Sequence, residues 1–151
     1  MAKLTLSLNE LRKKAGEHLG VSDWHEITQE QINLFADATG DHQWIHVDPE
    51  LAKQGPFGGT IAHGYLTLSL APMLLWEVLH VPDAPLAVNY GINRLRFPAP
   101  VPVGGRVRAS IDLGGAEEVR GGVQATFVVT FELEGSEKPA CVAELLFRYV
   151  G

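Results

Sequence analysis

The sequence predicts an α+β fold, in which an antiparallel sheet of about five strands wraps around one long buried helix. The stretch 61–81 is almost continuously apolar and follows a glycine-rich loop. Four long stretches rich in Val, Ile, Thr and Phe come after it, with turn residues and no helix between them. The chain of 151 residues fits a single domain over 1–151, because a chain of this length buries about 70% of its unfolded surface.

The first part of the chain predicts two helices and a strand. Asn9 is the N-cap expected for a helix over 10–20, and the alternating stretch 21–27 predicts a strand. The capping box T-x-x-Q at 28–31 then predicts a helix over 29–39.

A polar turn follows this helix, with the sequence ATGDHQWIHVDP over 38–49. Gly40 ends the helix, and Asp48 before Pro49 is an N-cap followed by a proline at the first helical position, which starts a short helix over 49–54. The turn is therefore expected to be a non-helical segment held at both ends.

The stretch 61–81 predicts a helix that is buried inside the domain, since it is apolar on every face. Pro72 predicts a kink or a boundary near its preceding turn. A membrane span is the alternative, but it requires roughly 20 nearly unbroken apolar residues. Five residues interrupt the run: Thr67, Ser69, Pro72, Glu77 and His80.

The last part of the chain predicts four strands, over 86–97, 105–114, 122–134 and 140–150. Because short turns connect them, they predict an antiparallel meander. The glycines of 113–122 indicate a hairpin turn rather than a phosphate-binding loop, since no helix follows them.

Composition excludes several classes of function. A net charge of −6 and a pI of about 5.4 argue against a nucleic-acid partner, which needs clustered Lys and Arg. Cys141 is the single cysteine, so the sequence predicts no disulfide and no cysteine-based zinc site, and Cys141 itself is expected to be a small buried hydrophobic residue. The first 20 residues lack the pattern of a secretory signal, which leads us to expect a cytoplasmic protein.

Asp41 and His46, in the polar turn, are the first candidates for chemistry. A carboxylate and an imidazole at an anchored turn can share a water molecule as a proton passes between them. The alternative is structural, with Asp41 capping the turn and His46 as a core histidine between Ile45 and Val47. Spacing alone favours the structural alternative, because Asp-x4-His is a common pattern. His42 is expected to face solvent.

Gly64, at the start of the buried helix, is the next candidate. Free N–H groups and the helix dipole favour negative charge there, and a glycine lets a carbonyl oxygen approach the backbone. The alternative is that Gly58, Gly59 and Gly64 only let the chain turn into a tightly packed helix. His63 is equally well interpreted as a donor or as a packing residue.

Other sites have weaker support. The histidines show neither an i, i+4 pair on a helix nor HExxH, so no metal site is predicted, and Ser69 lacks the surroundings of a nucleophile. Three further histidines are expected to be structural or exposed: His18, His25 and His80. Four arginines form either a plain charged surface or a basic patch for a phosphate-bearing ligand: Arg94, Arg96, Arg106 and Arg108.

Three stretches of the chain resemble the MaoC-like (R)-specific enoyl-CoA hydratases. FADATGDHQWIHVDPELA looks like the hydratase 2 motif of that family. PFGGTIAHGYLTLSL and NYGINRLRFPAPVPVGGRVR are similar to the segments that lead into its central helix and form the next strand and turn. The close resemblance covers 29–107. One departure is that Gln43–Trp44 stands where the family usually has Asn-Pro.

The resemblance implies a hot dog fold, normally assembled as a homodimer, and an activity in fatty acid metabolism that needs no cofactor. Asp41 and His46 match the family's catalytic pair, and Gly64 matches the glycine whose N–H binds the thioester oxygen. The implied reaction is the reversible addition of water to a trans-2-enoyl-CoA, which gives the (R)-3-hydroxyacyl-CoA.

The resemblance also suggests how an acyl-CoA substrate would be bound. Apolar walls are expected from Trp44, Ile45, Tyr65 and Leu66, and Arg96 is a candidate partner for the CoA phosphates. A hot dog acyl-CoA thioesterase and a non-catalytic acyl-thioester binding module are the alternatives, and both share the fold. The combination of the pair with Gly64 favours hydration.

Overall fold

The computed structural model describes residues 2–151. Six helices are present in this range: α1 (Leu8–Lys13), α2 (Gln29–Thr39), α3 (Trp44–Val47), α4 (Pro49–Lys53), α5 (Gly64–Ser69) and α6 (Ala71–Val78). The strands of the same range are β1 (Leu4–Thr5), β2 (His18–Val21), β3 (His25–Glu26), β4 (Leu79–His80), β5 (Leu86–Arg96), β6 (Arg106–Val119), β7 (Gly122–Leu133) and β8 (Cys141–Val150).

An antiparallel sheet with the strand order β2-β6-β7-β8-β5 forms most of the molecule, and β3 also pairs with β6. The predicted meander is correct for β6, β7 and β8 but wrong for β5, which pairs with β8 and lies at the edge. The reason lies in the connection between β5 and β6, which pairs with the segment before α5 through Ile61 and Pro102. The connection therefore runs beside the residues that precede α5 and does not form a tight hairpin between β5 and β6.

The hairpin between β6 and β7 lies further along the chain than predicted. The strand continues through Gly114–Gly115, where the register shifts, and reaches Val119. The turn is formed by Arg120 and Gly121, and Gly121 has a φ of +86°, a conformation that glycine adopts without a steric penalty.

The helix inside the sheet is kinked. Instead of one helix over 61–81, α5 and α6 meet at Leu70, because Pro72 has no N–H to donate to the carbonyl of Leu68. The prediction that every face is buried is wrong on one side, where Tyr65 and Trp76 are 66% and 59% exposed. Within residues 2–151, no helix has the length and apolar character that a membrane crossing requires.

The hydrophobic core lies between α6 and the concave face of the sheet. Leu74 and Val78 of α6 are fully buried, as are Ile111, Phe127 and Phe131 on alternating positions of the long strands. This is the sheet wrapped around a helix that the sequence predicts.

The N-terminal predictions need two corrections. Ser7, not Asn9, caps α1, because it forms a reciprocal capping box with Glu10. The helix ends at Lys13, and part of the predicted helix instead forms β2, which pairs with β6. The predicted strand 21–27 is interrupted, since Val21 is the last residue of β2 and only His25–Glu26 form β3. The next helix, α2, has the predicted bounds.

Candidate active site

The polar turn is anchored at both ends, as predicted. Gly40 takes the left-handed conformation with a φ of +84° and donates its N–H to the carbonyl of Ala36, which ends α2. The Asp48 side chain accepts the N–H of Leu51 and caps α4. The prediction of a wholly non-helical segment is wrong, since α3 forms one helical turn that contains His46.

His46 is buried, and hydrogen bonds hold it on two sides. Its Nδ1 lies 2.7 Å from the carbonyl oxygen of Ile61. Because a carbonyl only accepts, Nδ1 carries the proton of the neutral ring, and Nε2 keeps a free lone pair. Gln29 donates to the His46 carbonyl at 2.8 Å, and Ile61 N–H donates to the carbonyl of Ile45 at 3.0 Å. The imidazole is therefore fixed in both position and tautomer.

Asp41 is exposed, and its carboxylate forms little hydrogen bonding with the rest of the described chain. Within residues 2–151, the one hydrogen bond to the carboxylate comes from the backbone N–H of Gln43, at a long 3.3 Å. The Asp41 carbonyl accepts from Nε2 of His63 at 3.0 Å. The main chain is thus held in place, while the carboxylate is available to another partner.

His63 is 3% exposed and contacts both members of the pair. Its ring stacks on that of His46, with centroids 3.9 Å apart and an interplanar angle of 23°. The ring of Phe35 packs against it at 4.8 Å. The sequence left open whether His63 is a hydrogen-bond donor or a packing residue. In the structure His63 has both roles.

One carboxylate oxygen of Asp41 and one ring nitrogen of each histidine, His46 and His63, lie within 4.8 Å of one another. These are metal-ligating groups. However, two nitrogens that share a Zn²⁺ must direct their lone pairs at the ion, which lies about 2.0–2.1 Å from each nitrogen. The rings of His46 and His63 are stacked, so their nitrogen lone pairs lie in two nearly parallel planes 3.9 Å apart at the ring centroids instead. The arrangement favours proton transfer over metal binding.

Gly64 is the first residue of α5, so its N–H has no acceptor within the helix. A Cβ at this position would lie 3.1–3.2 Å from three ring atoms of Phe97. Phe97 also meets Tyr65 edge to face, with ring centroids 6.1 Å apart. Only a glycine fits under the Phe97 ring without displacing it.

Two cavities meet at His46, Gly64 and Phe97. The first has a volume of about 490 Å³, and Phe35, Thr39, Asp41, His63 and Tyr65 complete its walls. The second, of about 330 Å³, is mainly apolar, and its walls include Phe57, Ile61, Thr67, Ala99, Val101 and Ala140. Sequence reasoning missed Phe97 and Phe57, because no local pattern shows that the ends of distant segments meet.

Trp44 is not at these cavities. Its ring lies over Gly55, where a Cβ would be 2.9 Å from Cζ3 of the indole. Ile45 and Leu66 line neither cavity, and Tyr65 alone of the four expected walls does so. The indole ring of Trp44, which was expected to line the acyl pocket, instead packs against Gly55 at the end of α4.

The arginines do not form a basic patch. Three of them pair with glutamates on neighbouring strands: Arg94 with Glu144, Arg106 with Glu134 and Arg108 with Glu132. Arg96 is exposed and donates to the carbonyl of Leu95.

The histidines outside the site match their predictions. His42 is exposed, and a hydrogen bond to Asp37 at 3.0 Å raises its pKa. His18 and His25 are bonded to acidic side chains at 2.6 Å, and His80 is exposed. Cys141 is fully buried, as expected, and burial raises the pKa of its thiol to about 12.

Comparison with known proteins gives a consistent result. Residues 10–133 match the family model described as MaoC like domain. The 3-hydroxyacyl-thioester dehydratase Z of Mycobacterium tuberculosis (strain ATCC 25618 / H37Rv) is 61% identical over 145 residues, covering 95% of this chain and 96% of the relative. Nodulation protein N of Rhizobium leguminosarum bv. viciae is 44% identical over 142 residues, covering 91% of this chain and 88% of the relative.

Among solved structures, the unliganded R-hydratase PhaJ1 from Pseudomonas aeruginosa has a TM-score of 0.76 and 22% sequence identity. The match covers 95% of this chain and 85% of that chain. It shows a shared fold and confirms the predicted hot dog architecture.

Proposed function

The chain belongs to the MaoC-like dehydratase family, and on this premise we propose that it is an (R)-specific enoyl-CoA hydratase. It adds water reversibly to a trans-2-enoyl-CoA: the oxygen of water bonds to C3, one proton is added at C2, and the product is the (R)-3-hydroxyacyl-CoA. The observation that carries the proposal is the meeting of the Asp41 carboxylate, the free Nε2 of His46 and the start of α5 around one cavity. The dehydratase relatives support the same reaction class.

Asp41 and His46 supply the proton transfers. Hydration needs a group that takes a proton from water and a group that delivers one to C2, and a carboxylate beside an imidazole provides both. The bond from His46 Nδ1 to Ile61 keeps Nε2 directed as an acceptor. The Asp41 carboxylate, with its single long hydrogen bond, is free to hold the same water.

Gly64 stabilises the charge that develops on the thioester. As the C3–O bond forms, negative charge moves to the thioester oxygen, and a fixed N–H donor lowers the energy of this enolate. The Gly64 N–H at the start of α5 is such a donor. Phe97, which packs on Gly64, excludes water from that side of the group.

Each of the two cavities binds a different part of the substrate. The apolar cavity beyond Phe97 accepts the acyl chain, and the more open cavity beside Tyr65 accepts the thioester and the start of the CoA arm. Arg96 is the last residue of β5, directly before Phe97, and it is exposed, which keeps it a candidate for the CoA phosphates. Trp44 shapes the pocket only by holding α3 in place.

We also propose that the protein is a homodimer formed through β5. This strand is 11 residues long and lies at the edge of the sheet, so one side of its backbone is unpaired. Its apolar side chains are unusually exposed, with Val88 at 44%, Tyr90 at 56% and Ile92 at 45%. Pairing with a second copy would cover this edge.

The test is turnover of a short or medium trans-2-enoyl-CoA by the purified protein. The expected result is loss of the enoyl absorbance without release of free CoA thiol, with the (R)-3-hydroxyacyl-CoA as product. Thiol release with an unchanged enoyl group would identify a thioesterase. Acyl-CoA binding without turnover would identify a binding module. Either of these results overturns the proposal.

A further inference from the structure

His63 carries a buried nitrogen that the proposed mechanism does not use. Its Nδ1 has no hydrogen-bond partner among the described protein atoms, although the side chain is 3% exposed. Buried polar atoms are nearly always hydrogen-bonded, so one that lacks a protein partner indicates a ligand or an ordered water. His63 also lines the cavity that contains Asp41 and His46.

The tautomer of His63 follows from its other nitrogen. Nε2 lies 3.0 Å from the carbonyl oxygen of Asp41, which only accepts, so Nε2 carries the proton. Nδ1 of the neutral ring is therefore an acceptor. The nitrogens that are free to accept a hydrogen bond are Nδ1 of His63 and Nε2 of His46, and the two rings are stacked.

One water molecule can reach all three side chains. One carboxylate oxygen of Asp41 and one ring nitrogen of each histidine, His46 and His63, lie within 4.8 Å of one another. Any three points this close share a position no more than about 2.8 Å from each, which is the usual length of a hydrogen bond to water. Hydrogen bonds tolerate approach from outside the ring plane better than metal coordination does, so the stacking of the rings does not prevent this.

We propose that Nδ1 of His63 accepts a hydrogen bond from the water that adds to C3, which makes His63 a third catalytic residue. The proposal rests on the proposed hydratase function. One hydrogen of the water goes to the Asp41–His46 pair as the C3–O bond forms. The other hydrogen bonds to Nδ1 and stays on the oxygen, as the hydroxyl proton of the product. With both hydrogens directed, a lone pair of the water faces C3.

A purely structural role for His63 makes a different prediction. In that role the important contacts are the Nε2–H bond to the Asp41 carbonyl and the stacking on His46. Glutamine places an N–H close to the position of Nε2 and has nothing at Nδ1. Asparagine places an oxygen close to the position of Nδ1 and does not reach the Asp41 carbonyl. The two amides therefore separate the two roles.

The experiment compares His63→Gln and His63→Asn in the full chain, with His42→Gln as a matched control in an exposed histidine of the same turn. We expect His63→Gln to lose kcat about 10- to 100-fold with KM for the enoyl-CoA nearly unchanged, because a hydrogen bond to water and not to the acyl chain is lost. His63→Asn should keep more activity than His63→Gln. The opposite order, or wild-type kcat in His63→Gln, overturns the proposal.

A crystal structure of the wild-type protein at a resolution that shows waters gives a readout that does not depend on activity. We expect a water within hydrogen-bond distance of Nδ1, Asp41 and Nε2 of His46, and its loss in His63→Gln. A protein group or nothing at Nδ1 overturns the proposal even if the wild type is an active hydratase. If the wild type does not hydrate enoyl-CoA, the proposed function fails, and the catalytic role of His63 is overturned with it, whether or not the water is present.

Discussion

Replacing Asp41 by asparagine should separate catalysis from stability. The side chain is exposed, and among the described residues its carboxylate accepts a single hydrogen bond, of 3.3 Å, from Gln43 N–H. The amide oxygen of asparagine can accept the same bond at the same place. The bond from His63 goes to the main-chain carbonyl, which the substitution leaves unchanged. Nothing that holds the turn is removed.

The magnitudes follow from these contacts. An exposed substitution that keeps its hydrogen bond should change the free energy of unfolding by less than about 0.5 kcal/mol. Loss of a group that transfers a proton in the transition state should lower kcat by about 10²- to 10⁴-fold, which corresponds to roughly 2.7–5.4 kcal/mol in the barrier. The two effects therefore differ by several kcal/mol.

The assay measures kcat for a trans-2-enoyl-CoA from the loss of the enoyl absorbance, and stability from urea unfolding of the same preparations. Asp37→Asn is the control, since the Asp37 side chain is also exposed and, in the part of the chain that the structure describes, forms a hydrogen bond only with His42. It should leave kcat unchanged. If Asp41→Asn keeps more than about a tenth of the wild-type kcat, the catalytic assignment is refuted. If it loses more than about 1 kcal/mol of stability, the residue has the structural role that its spacing alone favours.

Three further experiments test other parts of the structure. Gly64→Ala should reduce kcat and displace Phe97, because the new Cβ would lie 3.1–3.2 Å from the Phe97 ring. Adding Phe97→Leu in the same chain should partly restore activity. Unchanged kinetics in Gly64→Ala would contradict this expectation. Val88→Glu should convert a dimer into a monomer in light scattering, since Val88 is exposed on the edge strand, and a monomeric wild type would contradict the interface. The pKa of Cys141 rises from 9.0 to about 12 on folding, so above pH 9 the unfolded chain releases a proton that the folded chain keeps, and stability falls as the pH rises. Urea unfolding should show this loss, about 1.4 kcal/mol by pH 10, and Cys141→Ala should remove it; an equal slope in both proteins would contradict the assignment.

Elements with local causes could be predicted from the sequence. The helix α2 has its predicted bounds because the T-x-x-Q capping box and Gly40 act within a few residues of its ends. Alternation of apolar and polar residues predicted the long strands for the same reason. The prediction failed at α1, where Ser7 and Asn9 are both good caps and the reciprocal bond to Glu10 decided between them.

The candidate site was only partly predictable. Spacing placed Asp41 and His46 on one anchored turn, and the family resemblance implied a catalytic role for each. Spacing gave no information on the direction in which Trp44 points, because its place over Gly55 depends on packing between α3 and the end of α4. The same limit applied to the arginines, whose glutamate partners lie on neighbouring strands.

The sequence by itself determined which residue types stand at the turn, that a helix ends at Gly40 before it and another begins at Pro49 after it, and that a largely apolar helical stretch follows the glycine-rich loop, since each of these depends on interactions between near neighbours in the chain. The tertiary structure alone decided that β5 lies at the edge of the sheet, that Phe97 covers Gly64, and that His63 stacks on His46 with Nδ1 left free. These contacts join segments that are distant along the chain. They form only when the whole sheet closes on the helix, because the burial of apolar surface that holds them together belongs to the complete core and not to any one segment.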